Sequence, residues 1–178
     1  MILITGGARS GKSSYGEGLL KECNNVLYIA TSIPFDDEMK DRVEKHKSQR
    51  PSEWDTLECY KDFKKNLLNK LNSYDGIILD CVTIMISNII LEISENNTNE
   101  EFKLAEEKVM EEVKNLLDIL KSFKGKCVLV TNEVGFGVVP ESKLGRYFRD
   151  IAGRANQYIA KQCDEVYLVV ASMPLKIK

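Results

Sequence analysis

Residues 6–13 read Gly6-Gly7-Ala8-Arg9-Ser10-Gly11-Lys12-Ser13. They satisfy the phosphate-loop pattern G-x-x-x-x-G-K-[ST]. Each part has a physical reason. Glycines permit backbone angles that turn amide N–H groups inward and let an anion come close. A helix starting after the loop points its positive end at the same anion. Lys12 supplies an ammonium for the β- and γ-phosphates, and the Ser13 hydroxyl is placed to ligate Mg2+. A Gly-rich turn can meet such a pattern by coincidence, but here an apolar run, Ile2–Thr5, precedes it and a helix-like segment, Ser13–Cys23, follows. A metal site needs a second anchor. Ile77-Ile78-Leu79-Asp80 is a hydrophobic run ending in a carboxylate, and ligands of open α/β sheets bind outside the carboxyl ends of the strands. Asp80 is also the kind of residue that caps a following helix. Beside a phosphate loop the metal-linked reading is preferred.

The chain carries a single histidine, His46. It falls in Asp36–Gln49, a helix-like stretch that stops before Arg50-Pro51. Met39, Val43 and His46 share one face, and Arg42, Lys45, Lys47 and Arg50 surround the imidazole with positive charge. Neighbouring cations disfavour a further charge and keep the ring neutral. Such a ring can attack phosphorus and form an N–P bond while the cations stabilise the phosphates. On composition and spacing alone, a lone histidine on a basic helix is more often a surface or hydrogen-bonding residue, and the residues go no further than a P-loop phosphotransferase.

These residues need a frame. The apolar runs Ile2–Thr5, Val26–Ala30, Ile77–Cys81, Cys127–Thr131 and Val166–Ala171 are short, β-branched and without polar alternation, as in strands covered on both faces. Helical spacing lies between them: Ser13–Cys23, the repeat from Leu104 through Val109, Val113, Leu116 and Leu117 to Leu120, and Asp150–Gln162. The alternation predicts an α/β fold, a mainly parallel sheet flanked by helices on both faces, in one domain spanning 1–178. Asn96–Asn99 predicts a loop between two helices. Leu175–Lys178 predicts a short edge strand with its lysines outward.

At 178 residues, 25 basic against 27 acidic, the net charge of −2 does not suit a nucleic-acid binder that relies on positive charge. No apolar run reaches the length of a membrane span, and Met1–Ile4 has neither the basic region nor the long apolar region of a leader. Five widely spaced cysteines without C-x-x-C predict reduced thiols and a cytoplasmic protein. Asn132–Gly135 after a strand reads either as a turn or as a binding loop. Arg149 and Arg154 read either as substrate-phosphate ligands or as ion-pair partners.

Taken together, these segments resemble the bifunctional adenosylcobinamide kinase/adenosylcobinamide-phosphate guanylyltransferase family of cobalamin biosynthesis. The resemblance rests on Ile4-Thr5 with Gly6–Ser13, on Val26–Ser32, on Asp37-Glu38-Met39 with Arg42, His46-Lys47 and Arg50-Pro51, and on Trp54–Glu58. Further along it rests on Val128–Gly135, Val139-Pro140-Glu141, and Phe148–Arg154 with Asn156-Gln157. Two departures stand out: Asp80, where the family pattern has Glu, and Ala171-Ser172-Met173-Pro174, which fits loosely.

The resemblance implies a P-loop NTPase of the RecA-like type, assembled as a homotrimer, that works in two steps with Mg2+ and ATP or GTP. A nucleoside triphosphate first phosphorylates adenosylcobinamide. GTP then guanylylates His46, and the GMP passes to adenosylcobinamide phosphate, giving adenosylcobinamide-GDP. It places nucleotide contacts on Gly6–Ser13, on Thr31, Ser32 and Ile33, on Lys47, Ser48, Gln49 and Arg50, on Glu58, and on Asp80. The alternatives are a monofunctional P-loop small-molecule kinase and a GTP-dependent regulatory binding protein. The chain has no Asn-Lys-x-Asp, with which many GTPases read guanine.

Overall fold

A strand that is apolar at every position must be covered on both faces, and the apolar runs take those places in one sheet. The computed structural model describes residues 1–33 and 51–178. Within them the strands are β1 (Ile2–Gly6), β2 (Val26–Ala30), β3 (Asp55–Glu58), β4 (Gly76–Asp80), β5 (Lys126–Val130), β6 (Glu165–Val170) and β7 (Met173–Lys176). They form a seven-stranded sheet in the order β3-β2-β4-β5-β1-β6-β7. Every neighbouring pair is parallel except β6 and β7.

The described helices are α1 (Lys12–Leu19), α2 (Phe63–Leu67, followed by a 3-10 turn), α3 (Val82–Ile93), α4 (Asn99–Ser122) and α5 (Lys143–Gln162). Side chains alternate across the sheet, so two cores form. Leu3, Leu27, Ile29, Ile77, Leu79, Cys127 and Leu129 pack under α2 to α5. Ile4, Tyr28, Ile78, Val128 and Val130 pack on the opposite face, where α1 lies against β1, β4, β5 and β6. Gly16 lets α1 approach closely: a Cβ there would stand 3.2 Å from side-chain carbons of Ile4, Ile78 and Val128.

Ile84–Ile93, the longest apolar stretch, belongs to α3, a core helix held between the sheet, α4 and α5. Among the described residues no helix is long and apolar enough to cross a membrane. In α4 the repeat from Val109 through Val113, Leu116 and Leu117 to Leu120 is the buried stripe, but Leu104 is exposed and Phe102 and Ala105 take its place in the core. Burying each such side chain contributes about 1.5–3 kcal/mol. The helix begins at a capping box: the Thr98 hydroxyl accepts the Glu101 N–H, and the Glu101 carboxylate accepts the Thr98 N–H.

Several boundaries differ from the sequence expectation, and α1 ends at Leu19 rather than at Cys23. β3 reads Asp-Thr-Leu-Glu and is mostly exposed, so no apolar run announces it. α5 starts at Lys143 rather than near Asp150 because its first turns are polar apart from Leu144, Tyr147 and Phe148. They are held by Ser142, whose hydroxyl accepts the Gly145 N–H at 3.1 Å. β7 begins two residues earlier than expected, since a two-residue turn returns the chain directly after Val170. Its lysines also divide. Lys176 faces outward and pairs with Glu165 at 2.8 Å. Lys178 turns back and donates to the carbonyls of Ala160, Lys161 and Cys163 at 3.0, 3.3 and 2.6 Å, placing a cation on the negative end of α5.

Thr98→Ala removes the acceptor from the α4 cap. Its expected cost is about 1 kcal/mol, within the ~0.5–2 kcal/mol range of such caps, read as a lower urea midpoint at unchanged slope.

Candidate active site

The C-terminal edge of the parallel strands collects most of the residues singled out above. Register fixes them in one row: Glu58 pairs with Ala30, Ala30 with Asp80, Asp80 with Val130, and Val130 with Ile4. Strands lie about 4.8 Å apart, so Asp80 stands about 10 Å, and Glu58 about 19 Å, from the β1 axis. Asp80 shares its sheet face with Ile78, the face that carries α1.

Gly6–Ser13 wraps from the end of β1 into α1. Gly11 sits at φ 91 and Arg9 at φ 56, both left-handed, which turns successive N–H groups toward one concavity. Gly6 tolerates no side chain, because a Cβ would lie 2.5 Å from the Val169 carbonyl oxygen and 2.6 Å from Ser10 Oγ. Lys12 is only 8 % exposed, and its Nζ donates to the Gly7 carbonyl at 3.1 Å. That is one of three N–H donors, so a buried ammonium stands inside the loop with capacity for phosphate. Ser10 is also buried, and its Oγ has no hydrogen-bond partner among the described residues. A buried hydroxyl in that state costs free energy unless a ligand satisfies it.

Ser13, in the first turn of α1, and Asp80, at the end of β4, offer a hydroxyl and a carboxylate, hard oxygen donors of the kind that would suit Mg2+ together with phosphates and water. The Tyr28 hydroxyl, from a ring buried in the α1-side core, donates to Asp80 Oδ2 at 2.8 Å, which fixes the carboxylate plane.

Along the same strand ends runs a polar layer that the sequence does not announce. Thr31 is 1 % exposed; its hydroxyl donates to the Cys81 carbonyl at 2.8 Å and accepts the Cys81 N–H at 2.9 Å. The side-chain amide of Asn88, on α3, donates to the Thr31 carbonyl at 2.8 Å. The Thr31 side chain is therefore committed to joining β2 with β4, and any nucleotide contact in this turn falls to Ser32, Ile33 or backbone. A second circuit joins β5 to α3 and α5. The Thr131 hydroxyl donates to Asn156 Oδ1 at 2.8 Å. Since a hydroxyl has one hydrogen, Thr83 must donate to Thr131 across their 3.1 Å contact and accept the Asn132 N–H at 2.6 Å. Asn156 Nδ2 returns to the Asn132 carbonyl at 3.2 Å and closes the ring.

This circuit decides how Asn132–Gly135 is held. Glu133 N–H donates to the Gly6 carbonyl at 3.0 Å, so the segment lies directly against the phosphate loop. The Asn132 side-chain amide lies 3.7 Å from Cys81 Sγ. Burial pushes the Cys81 thiol up to about 11, with Asp80 adding to the shift and Lys12 opposing it. It is a neutral packing group at neutral pH. All five cysteines are free, four of them buried. The arginines separate: Arg154 is bound to both carboxylate oxygens of Glu106 on α4, with 2.9 Å between Nη2 and Oε2, whereas Arg149 has Asp150 at 3.6 Å. His46, Lys47, Ser48, Gln49 and Arg50 lie outside the described residues.

A glycine-rich loop between β1 and α1, with an acidic strand end one strand removed from β1, defines an α/β P-loop nucleotide-binding protein. Its backbone is similar to a solved ATPase from the type III secretion system of pathogenic bacteria, with a TM-score of 0.52 at 11 % identity over 94 % of this chain and 50 % of that one. That likeness concerns the fold. Residues 2–177 match the family described as cobinamide kinase/cobinamide phosphate guanyltransferase, and the chain belongs to it. It is 46 % identical over 180 residues to the bifunctional adenosylcobalamin biosynthesis protein CobU of Salmonella typhimurium, covering 100 % of this chain and 99 % of the relative. The protein of the same name from Escherichia coli K12 is 43 % identical over the same shares. The bifunctional adenosylcobalamin biosynthesis protein CobP of Pseudomonas aeruginosa is 36 % identical over 99 % of this chain and 96 % of its own.

The Asn132 ring gives a direct test. Asn156→Ala leaves the Thr131 hydroxyl hydrogen without its acceptor and the Asn132 carbonyl without its side-chain donor. The expected cost is about 1–3 kcal/mol, measured by urea unfolding without nucleotide; an unchanged midpoint would mean that water replaces the amide at no cost.

Proposed function

We propose that this chain, as one nucleotide-binding domain, phosphorylates adenosylcobinamide and then guanylylates the product through His46. The observation that carries the reading is the buried Lys12 inside a glycine loop, on the same sheet face as Asp80, in a chain that matches the family from residue 2 to 177. In the first step the substrate hydroxyl oxygen bonds to the γ-phosphorus and the bond to the β–γ bridging oxygen breaks, leaving a nucleoside diphosphate. Phosphoryl transfer is mainly positioning and charge neutralisation. Loop amides of Gly6–Ser13 orient the phosphates, and Lys12 meets the charge on the β- and γ-oxygens. Ser13 and Asp80 would hold Mg2+, which when bound neutralises phosphate charge.

In the second step an imidazole nitrogen of His46 bonds to the α-phosphorus of GTP and pyrophosphate leaves. A phosphate oxygen of adenosylcobinamide phosphate then displaces the histidine and takes the GMP. Splitting the transfer in two is the general advantage of a covalent nucleophile. The separation of about 19 Å between Glu58 and β1 suits contacts to a nucleoside remote from the phosphates that Lys12 holds. Residues 47–50 and Ser32-Ile33 are assigned to the same nucleotide-binding surface. We further propose a cytoplasmic homotrimer, using no nucleic acid. Phe136, Val138 and Val139 are 83 %, 94 % and 58 % exposed on the loop that follows β5, apolar surface of the kind subunit contacts cover.

GTP labelled on the α-phosphate should transfer an acid-labile, base-stable label to the wild-type protein and none to His46→Ala. His46→Ala should still make adenosylcobinamide phosphate. Lys12→Ala should lower the kinase rate on the order of 10²-fold, as removal of one preorganised donor does elsewhere. An unlabelled wild type would leave only the monofunctional kinase. Light scattering should return three times the 20.2 kDa protomer mass; a monomer would end the assembly proposal.

A further inference from the structure

The hairpin of β6 and β7 touches the phosphate loop at three places. Its Val169 carbonyl fills the space a Gly6 side chain would need, at 2.5 Å from the Cβ position. The Ser172 N–H donates to the Ser10 carbonyl at 2.7 Å. Ser172 Oγ stands 2.6 Å from where a Gly11 Cβ would be. Behind the loop, Tyr15 of α1 meets Tyr167 of β6 edge to face, with centroids 5.4 Å apart. The turn itself is unusual. Val170 pairs with Met173, so Ala171 and Ser172 are its two central residues, at φ 49 and φ 64. Two positive φ values are the geometry of a two-residue hairpin turn, which asparagine and glycine adopt most readily. Alanine and serine disfavour it, and an outlier of this kind persists where the surroundings determine it.

We propose that Ser172 is a positioning residue for the phosphate loop: by holding the Ser10 carbonyl outward, its amide aims the Gly11 N–H at the bound phosphate. The geometry follows from the peptide plane. In a trans peptide the carbonyl of one residue and the N–H of the next point in opposite directions. The Ser10–Gly11 peptide is trans; among the described residues the cis bond is Asp80–Cys81. With the Ser10 oxygen fixed toward the hairpin, the Gly11 N–H faces the other way, into the concavity where Lys12 lies. Released from Ser172, that peptide plane is free to turn, since Gly11 at φ 91 has other conformations open to it. Nucleotide affinity is then set partly by a turn at the far end of the sequence. The proposal rests on nucleotide binding at Gly6–Ser13.

The coupling is reciprocal, because a bond that favours the occupied loop is favoured by occupancy. Amide exchange of the wild-type protein should therefore show Ser172 protected together with Gly11 and Lys12 when GTP and Mg2+ are added. Protection of Gly11 and Lys12 with no change at Ser172 overturns the proposal. No protection at any of them removes the nucleotide reading and this one with it. In a second test, one glycine inserted between Ala171 and Ser172 lengthens the turn to a three-residue hairpin loop and carries the Ser172 amide away. The dissociation constant for GTP should rise about 5- to 150-fold, the usual span of coupling between sites, with the urea midpoint little moved. Ala171→Asn/Ser172→Gly keeps both the turn length and the N–H, and should bind within about twofold of wild type on the same reasoning. Equal affinity of the insertion variant and wild type overturns the proposal; if the insertion prevents folding, the exchange experiment decides.

Discussion

A buried ammonium at the end of β1 governs the architecture around it. Lys12 has one bond to its own loop, at Gly7, and a charge so enclosed is tolerable only where its surroundings are polar and ordered. The carboxyl ends of parallel strands supply that setting. Thr83, Thr131, Asn132 and Asn156 satisfy one another there in a closed ring, and Thr31 is satisfied by the Cys81 backbone and Asn88, while the strands below are apolar on both faces. The change from apolar to polar occurs within a residue or two of each strand end. Fully satisfied networks are rigid, and the bond from the Glu133 N–H to the Gly6 carbonyl ties the loop to the segment this network holds.

Much of this was legible in the residues. The P-loop pattern located β1, α1 and their junction, and unbroken apolar runs located the interior strands. What escaped has physical reasons. β3 is an edge strand, so Asp55, Thr56 and Glu58 are solvated and no hydrophobic period marks it. The polar circuits use isolated Thr and Asn residues from separate elements, and only tertiary structure brings them together. Their one sequence signal is position: Thr31 directly follows an apolar run and Thr131 closes one. The β6–β7 turn was hidden because Ala-Ser is not a turn dipeptide. It surfaced only as a loose fit to the family pattern at Ala171–Pro174. The helix-like stretch with His46 was read from its neighbours in sequence and lies outside the described residues.

Division of labour between the sheet faces follows from the same frame. The face under α2 to α5 carries most of the large buried side chains and so most of the hydrophobic stabilisation. The face under α1 is thinner, and its residues lead directly to Lys12, Tyr28 and Asp80. Stability and chemistry thus draw on different sides of one layer. A substitution in the α4 stripe is expected to change how much protein is folded. One near Tyr28 is expected to change how the folded protein handles charge.

The paired row from Glu58 through Ala30, Asp80 and Val130 to Ile4 also acts as a ruler. Its graduations are backbone hydrogen-bonded ladders, each about 4.8 Å wide, and a ladder cannot stretch. Insertions or deletions in the connecting segments leave the distance between the outer carboxylate and the loop untouched. Only gaining or losing a whole strand would change it, so the connections are free to vary in length while the span measured along the edge stays the same.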